Sequence, residues 1–223
     1  MPRKLIGIFG GAFDPVHNGH TEIARYCIES LNMEKVVIVP TGASSLNKKL
    51  TDGKHRLAML NKVFNDAHYE VSVYELTQSE KDQVPSYTIN TLKYLTTVHD
   101  LTTYVFILGM DALLNLDKWY QWESLLDCCH LLVIQRECDS VELKKMKPAI
   151  NTLIRKATIN SMGGLAQKKC GSIYFAKFPL IPISSTEIRM KLSRNENVSE
   201  LISPEVARLI NEFKIYHSAG HKI

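Results

Sequence analysis

Short apolar runs alternate with amphipathic stretches along most of this chain. Six apolar runs predict β-strands, and they cover residues 4–10, 35–40, 69–76, 103–109, 130–136 and 172–177. Four of these runs are almost unbroken series of Ile, Val, Leu and Phe. Such continuity is typical of strands that are covered on both faces, as in a parallel sheet.

The stretches between the runs have the period of amphipathic helices. Two such helices have apolar faces that comprise Ile23, Ala24, Cys27, Ile28 and Leu31 in the first, and Leu57, Leu60 and Phe64 in the second. Residues 86–95 and 119–126 predict two more helices. This βαβα order predicts an α/β fold, a Rossmann-like open parallel sheet with helices on both faces.

The chain has no internal repeat and no low-complexity linker, so one domain spanning 1–223 is expected. The least regular stretch, 137–171, is predicted to be a helix followed by a loop around Gly163 and Gly164.

Two C-terminal helices have recognisable first residues. Ser184 with Glu187 three positions later forms a capping box. Ser203 is the expected N-cap of the last helix, with Pro204 at its first position.

Composition and charge exclude several classes of protein. The formal net charge of +4 is compatible with an anionic ligand but is far below that of a dedicated nucleic-acid binder. Lysines at 144–147 and 168–169 are expected to be solvated. No segment has the roughly 18 apolar residues of a membrane helix.

The five cysteines are odd in number and include no CxxC pair. This usage predicts reduced thiols and a cytoplasmic protein, without a disulfide framework or a zinc site. The N-terminal apolar run is too short for a signal peptide.

The most informative stretch is GIFGGAFDPVHNGH, residues 7–20, which begins within the first predicted strand and continues beyond it. Gly10 and Gly11 allow the backbone to pass close to a bulky anion at the carboxyl end of that strand. Asn18 is the expected cap of the next helix, whose first N–H groups favour a negative ligand. His17 and His20 flank this helix end and can contact a phosphate. A plain tight turn, or a metal site, is the alternative, but no third ligand follows at metal-site spacing.

The segment GGAFDPVHNGH resembles the signature GxFDPxHxGH of the nucleotidylyltransferase superfamily. ISSTEIR at 183–189 is similar to its second signature, ISSTxIR. Three more segments, VPTG (39–42), PSYT (85–88) and GMD (109–111) followed by LLNLDKWYQWE, resemble bacterial nicotinate-nucleotide adenylyltransferases. Such enzymes join nicotinate mononucleotide to ATP, with magnesium, and release deamido-NAD and pyrophosphate.

The resemblance implies roles for individual residues. His17 and His20 contact the ATP phosphates, and His20 stabilises the α-phosphoryl group in the transition state. The implied ATP site comprises Gly10, Gly11, Phe13, Gly109, Asp111, Ser184, Ser185, Thr186 and Arg189. The implied nicotinate mononucleotide site comprises Ser86, Tyr87, Thr88, Trp119, Tyr120, Lys48, Lys49 and Arg136. No protein side chain is implied as a metal ligand.

Several of these residues also have purely structural interpretations. Ser184 can be an ordinary helix cap, and Asp111 can cap the helix after the fourth strand or accept a ribose hydroxyl. Trp119 can stack on a pyridine ring or pack in the core, whereas core packing is the preferred interpretation of Trp122. Backbone amides near Thr88 and Tyr120 are implied to bind the nicotinate carboxylate.

The chain departs from the family in one loop. Where the family has PPHK after the second strand, this chain reads VPTGASSLNKKL. Lys48 or Lys49 is the substitute phosphate-binding lysine, and the loss of two prolines makes the loop less constrained.

Other functions stay open on the sequence alone. They include an enzyme that prefers nicotinamide mononucleotide, and a phosphopantetheine adenylyltransferase or cytidylyltransferase of the same superfamily. A catalytically inactive nucleotide-binding regulator would be expected to lack a signature histidine or Arg189, and all three are present. A nucleic-acid partner is disfavoured because the aromatic residues do not alternate with basic ones. Assembly into a homo-oligomer is left open.

Overall fold

A six-stranded parallel sheet forms the centre of the protein, and the computed structural model describes residues 3–44, 49–82, 85–97, 102–135, 146–179 and 182–217. The sheet consists of β1 (Lys4–Gly11), β2 (Lys35–Pro40), β4 (Tyr69–Val71), β6 (Thr102–Gly109), β7 (His130–Gln135) and β8 (Ile173–Lys177). A separate parallel pair joins β3 (Ala43–Ser44) to β5 (Pro85–Ser86).

The helices connect the strands. They are α1 (Asn18–Glu29), α2 (Gly53–Val63), α3 (Tyr74–Asp82), α4 (Thr88–Thr96), α5 (Met110–Leu114), α6 (Leu125–Cys128), α7 (Pro148–Ala157), α8 (Ser185–Ser193) and α9 (Pro204–Phe213). Short 3₁₀ helices cover Leu116–Lys118, Trp122–Ser124 and Met162–Gln167.

The strands lie side by side in the order β4, β2, β1, β6, β7 and β8. The chain starts in the middle of the sheet, builds one half outwards, then returns to β6 and builds the other half. The direction of winding therefore reverses between β1 and β6, and in such sheets the crevice beyond the carboxyl ends of these strands is where ligands bind. The predicted Rossmann-like fold is confirmed.

Apolar side chains cover both faces of the sheet. Phe9 belongs to a core packed under α1, α2, α8 and α9, whereas the adjacent Ile8 belongs to a second core under α4, α5, α6 and α7. This alternation of neighbouring residues between two cores explains why the strands are apolar at nearly every position.

Three predicted elements differ from the structure. In the run 69–76 only Tyr69–Val71 is a strand, because the Ser72 hydroxyl accepts the N–H of Tyr74 and a helix begins there. The helix predicted over 119–126 is replaced by a turn that ends at Gln121, whose φ of 50° is left-handed, followed by the 3₁₀ helix Trp122–Ser124 and α6. The predicted loop at Gly163 and Gly164 lies within a 3₁₀ helix.

The predicted apolar face of α2 is also partly wrong. Leu60 and Phe64 are buried as expected, but Leu57 is only half-buried, and Arg56 and Met59 take its place in the interior. The N-caps predicted for the two C-terminal helices are confirmed. The hydroxyls of Ser184 and Ser203 each accept an N–H from the first turn of the helix that follows.

Within the described ranges, every helix is too short or too polar to cross a lipid bilayer. The cysteines that these ranges contain, Cys27, Cys128, Cys129 and Cys170, are free thiols. Cys138 lies outside them.

Candidate active site

A cleft of about 1070 Å³ lies where the winding of the sheet reverses, beyond the carboxyl ends of β1 and β6. Its volume lies at the upper end of the range of small-molecule sites. The predicted site residues in its wall are Gly10, Gly11, His17, His20, Lys49, Ser86, Tyr87, Thr88, Gly109, Asp111, Trp119, Tyr120, Ser184, Ser185, Thr186 and Arg189. Segments from both halves of the sheet therefore meet at one site.

Among the predicted site residues that the structure describes, Phe13 alone is not part of this wall. Phe13 is 1% exposed and lies behind His20, with the two ring centroids 4.8 Å apart. It supports the His20 ring from inside the protein. Lys48 and Arg136 fall outside the described residues, so their roles stay predictions, whereas the exposed Lys49 borders the cleft.

The two signature histidines are arranged around the first turn of α1. His17 is the N-cap residue, and its backbone N–H donates to Nδ1 of His20 at 3.2 Å. The imidazole rings stack with their centroids 3.7 Å apart. Because Nδ1 of His20 accepts a hydrogen bond, the proton of the neutral ring is on Nε2, where it can be donated to a phosphate oxygen.

Asn18 does not cap the helix, contrary to the sequence-based expectation. It is the first helical residue, because the backbone of His17 already has the extended conformation of an N-cap. The Asn18 side chain instead donates to the carbonyl of Glu200 at 2.9 Å, and its N–H donates to Leu201 at 2.9 Å. Asn18 thus attaches the loop between β1 and α1, residues 12–17 and called here the histidine loop, to the C-terminal part of the chain.

Burial keeps both histidines uncharged in the free protein. It lowers the pKa of His17 to about 4. Burial, together with the neighbouring His17, also lowers the pKa of His20 well below its ordinary value. Gly19 makes this packing possible, since a Cβ there would lie 3.1 Å from Nδ1 of His17.

Acidification is expected to destabilise the protein through His17. The unfolded chain takes up this proton near pH 6.5 and the folded chain only near pH 4, so the free energy of unfolding falls as the pH drops through that window. Between pH 7 and pH 5, His17 alone accounts for about 2 kcal/mol.

Urea unfolding at pH 7, 6 and 5 measures this effect. In His17→Asn, the free energy of unfolding is expected to fall by about 2 kcal/mol less between pH 7 and pH 5 than in the wild type. The control variant is His68→Asn, because His68 is exposed. A His17→Asn curve parallel to that of the wild type contradicts the expectation.

The second signature contacts the first directly. The Ser185 hydroxyl donates to the carbonyl of Pro15 at 2.9 Å, and Nη1 of Arg189 donates to the carbonyl of Asp14 at 2.7 Å. Nη2 of Arg189 contacts the Thr186 hydroxyl at 3.3 Å. These hydrogen bonds join segments 170 residues apart at the cleft. Arg189 therefore holds the two signatures together and also places a positive charge in the cleft wall.

Asp111 lies at the end of β6. The N-cap of α5 is Gly109, so the capping interpretation of Asp111 is wrong. Its side chain is exposed in the first helical turn and borders the cleft. A Cβ on Gly109 would lie 2.6 Å from Oδ1 of Asp111, so glycine is needed there to give the carboxylate this position.

Several aromatic side chains also line the cleft. Trp119 packs edge-on against Phe106, with the centroids 6.1 Å apart, and also lines the cleft. The ring centroids of Tyr87 and Tyr120 lie 4.8 Å apart, and Tyr120 is 53% exposed. Trp122 packs against the core, in agreement with its preferred interpretation.

Thr88 is the first residue of α4, and the side chain of its N-cap, Tyr87, makes no capping hydrogen bond. The first N–H groups of a helix have no partner within the helix, so the N–H of Thr88, a residue of the cleft wall, makes no hydrogen bond within α4.

Sequence reasoning missed Glu75, a half-buried residue whose carboxyl group lies in the cleft wall. The Thr91 hydroxyl donates to its Oε1 at 2.7 Å. Burial raises the pKa of Glu75, and hydrogen bonds from Thr91, Ser86 and the N–H of Gly42 oppose that shift. Because 69–76 was interpreted as one strand, the start of α3 that carries Glu75 was not foreseen.

Arg56 was also missed, although it is only 2% exposed. Nη1 donates to the carbonyl of Ala12 at 2.9 Å, and Nε donates to that of Thr51 at 2.8 Å. Arg56 thus links the histidine loop to the segment after β3. The sequence contained one signal for this burial, since Arg56 is a charged residue on the apolar side of a predicted helix.

Among the described residues, no three His, Cys, Asp or Glu side chains form a group that could hold a metal ion.

Comparison with known proteins supports the sequence resemblance. The model of the cytidylyltransferase-like family matches residues 8–191. A Clostridium novyi protein named "probable nicotinate-nucleotide adenylyltransferase" is 37% identical over 218 residues, which cover 96% of this chain and 99% of that protein. A protein of the same name from Pseudoalteromonas atlantica is 33% identical over 215 residues, with 96% and 95% covered.

The fold also resembles solved structures. Nicotinic acid mononucleotide adenylyltransferase of Plasmodium falciparum, in complex with NaAD, aligns with a TM-score of 0.71 at 20% identity, covering 96% of this chain and 97% of that one. The same Plasmodium enzyme complexed with APC aligns with a TM-score of 0.68.

Proposed function

We propose that this protein, which belongs to the cytidylyltransferase-like family and within it to the nicotinate-nucleotide adenylyltransferases, transfers the AMP moiety of ATP to nicotinate mononucleotide. The products are deamido-NAD and pyrophosphate, so the reaction belongs to NAD biosynthesis. The observation that carries the proposal is the joining of the two signatures at one cleft, through the contact of Arg189 with Asp14.

The reaction is an in-line displacement at the α-phosphorus of ATP. An oxygen of the mononucleotide phosphate forms the new P–O bond, the bond from the α-phosphorus to the β-phosphate oxygen breaks, and pyrophosphate leaves with the electron pair. The attacking phosphate is already ionised at neutral pH, so it needs no general base. Catalysis then depends on positioning and on stabilising charge at the α-phosphoryl group.

The histidine loop and α8 are suited to the triphosphate. Nε2–H of His20 donates to an α-phosphoryl oxygen, and His17 contacts the same chain of phosphates. The first turn of α8, at Ser185 and Thr186, offers N–H groups and hydroxyls to the β- and γ-phosphates, and Arg189 adds a cation. Magnesium enters with ATP as part of the substrate, held by phosphate oxygens and water, as this small cation prefers.

The aromatic part of the cleft wall is suited to the pyridine nucleotide. Trp119 stacks on the electron-poor ring, and the N–H groups of Thr88 and Tyr120 bind the nicotinate carboxylate. On the ATP side of the cleft, Asp111 accepts a hydrogen bond from a ribose hydroxyl of ATP. Lys49 neutralises phosphate charge in the loop that lacks the family's PPHK. We further propose that the chain works as one catalytic domain in the cytoplasm.

The test is pyrophosphate release by the purified protein with ATP, magnesium and nicotinate mononucleotide, with deamido-NAD identified by chromatography. Parallel reactions contain phosphopantetheine with ATP, or CTP with a cytidylyl acceptor. We expect turnover with nicotinate mononucleotide and none in the parallel reactions. Turnover in a parallel reaction alone contradicts the proposal, and ATP binding without pyrophosphate release indicates the inactive regulator.

A further inference from the structure

The chain after α9 returns to the active site. Lys214 and Tyr216 both have left-handed backbone conformations, with φ of 52° and 66°. Such conformations are costly for residues other than glycine, and they persist only where surrounding contacts enforce them. The turn ends with the Tyr216 hydroxyl donating to Oδ1 of Asp14 at 2.5 Å.

Asp14 is a buried carboxylate in the loop that carries the signature histidines. It is 3% exposed, and its second oxygen, Oδ2, accepts the N–H of Thr51 at 3.1 Å. Its main-chain carbonyl accepts from Arg189. A buried charge needs such partners, because an unpaired one is strongly destabilising. Asp14 thus joins the histidine loop to the residues after β3, to α8 and to the segment after α9.

The position of Asp14 makes this junction relevant to catalysis. Only Pro15 and Val16 separate it from His17, and Val16 is fully buried. A shift of the Asp14 carboxylate is therefore transmitted to the N-cap residue of α1. Because the N–H of His17 orients His20, the shift reaches the phosphate-binding ring as well.

We propose that Tyr216 is a positioning residue for adenylyl transfer: its hydroxyl holds Asp14 and thereby sets the positions of His17 and His20. This inference rests on the proposed function for its kinetic readout. Burial and the neighbouring Asp14 raise the pKa of Tyr216, so the hydroxyl keeps its proton and remains a donor throughout the physiological range.

The test compares Tyr216→Phe with Tyr26→Phe. Tyr26 is the control because its hydroxyl likewise donates one hydrogen bond, here to the main-chain carbonyl of Lys177 at 3.3 Å and not to a residue of the histidine loop. We expect Tyr216→Phe to lower kcat at least about tenfold, with both KM values within about threefold, because a misplaced catalytic group affects the transition state more than binding. Tyr26→Phe keeps the wild-type kcat.

Two further measurements separate positioning from stability. In a double-mutant cycle, Asp14→Asn with Tyr216→Phe is expected to lose little more activity than the more damaging single variant. In ligand-free protein, the NMR signals of the His17 and His20 rings are expected to move in Tyr216→Phe and to stay unchanged in Tyr26→Phe. This readout needs no activity.

An unchanged kcat, unchanged ring signals or additive effects in the cycle overturn the proposal. So does a Tyr216→Phe protein that is unfolded under assay conditions, since the hydroxyl then serves folding. A wild-type protein that releases no pyrophosphate contradicts the proposed function instead, and the ring signals still decide whether Tyr216 positions the histidines.

Discussion

His20→Ala is expected to lower kcat by about 100- to 1000-fold, the usual effect of removing one hydrogen-bond donor that stabilises charge in a transition state. In the free protein, Nδ1 of His20 accepts from the backbone of His17, and the ring is held between His17 and Phe13. Nε2–H is therefore preorganised. Because its proposed role is to donate to the reacting phosphoryl group, its loss is expected to lower kcat more than it raises the KM for ATP.

Steady-state kinetics with both substrates measures this loss. His68→Ala is the control, since His68 is exposed and remote from the cleft, and it is expected to leave kcat unchanged. A His20→Ala protein that raises only the KM for ATP contradicts the assigned role and makes His20 a binding residue.

Nicotinamide mononucleotide is expected to have a kcat/KM at least about 100-fold below that of nicotinate mononucleotide. The N–H groups of Thr88 and Tyr120 are donors, and the N-terminus of α4 favours negative charge. The carboxamide presents an NH₂ group to these donors and carries no charge. Donors that a bound substrate covers but leaves without a hydrogen-bond partner give large discrimination between similar substrates.

Trp119→Ala is the informative companion variant. Stacking on the ring does not distinguish the acid from the amide, so the variant is expected to raise the KM for both mononucleotides while their kcat/KM ratio stays the same. Equal turnover of the two mononucleotides by the wild type contradicts the selectivity but leaves the reaction class intact.

The elements of the central sheet could be predicted because their signal is local. Strands covered on both faces need apolar residues at nearly every position, and Ile8 and Phe9 face two different cores. The apolar pattern was misleading in residues 69–76, where it predicted one continuous strand. There the Ser72 hydroxyl accepts the N–H of Tyr74, and α3 begins at that point. Because α3 begins there, its second residue, Glu75, lies in the cleft wall.

The sequence by itself determined the parallel α/β fold, the glycines at the ends of β1 and β6, and the residue types of the two signatures, because strand periodicity and short motifs depend on neighbouring residues. Only the tertiary structure decided that the Asn18 side chain donates to the carbonyl of Glu200, that Arg56 is buried, and that Tyr216 reaches Asp14. These contacts join residues up to 202 positions apart. No local pattern encodes them, since they depend on how the completed sheet brings distant loops to one edge.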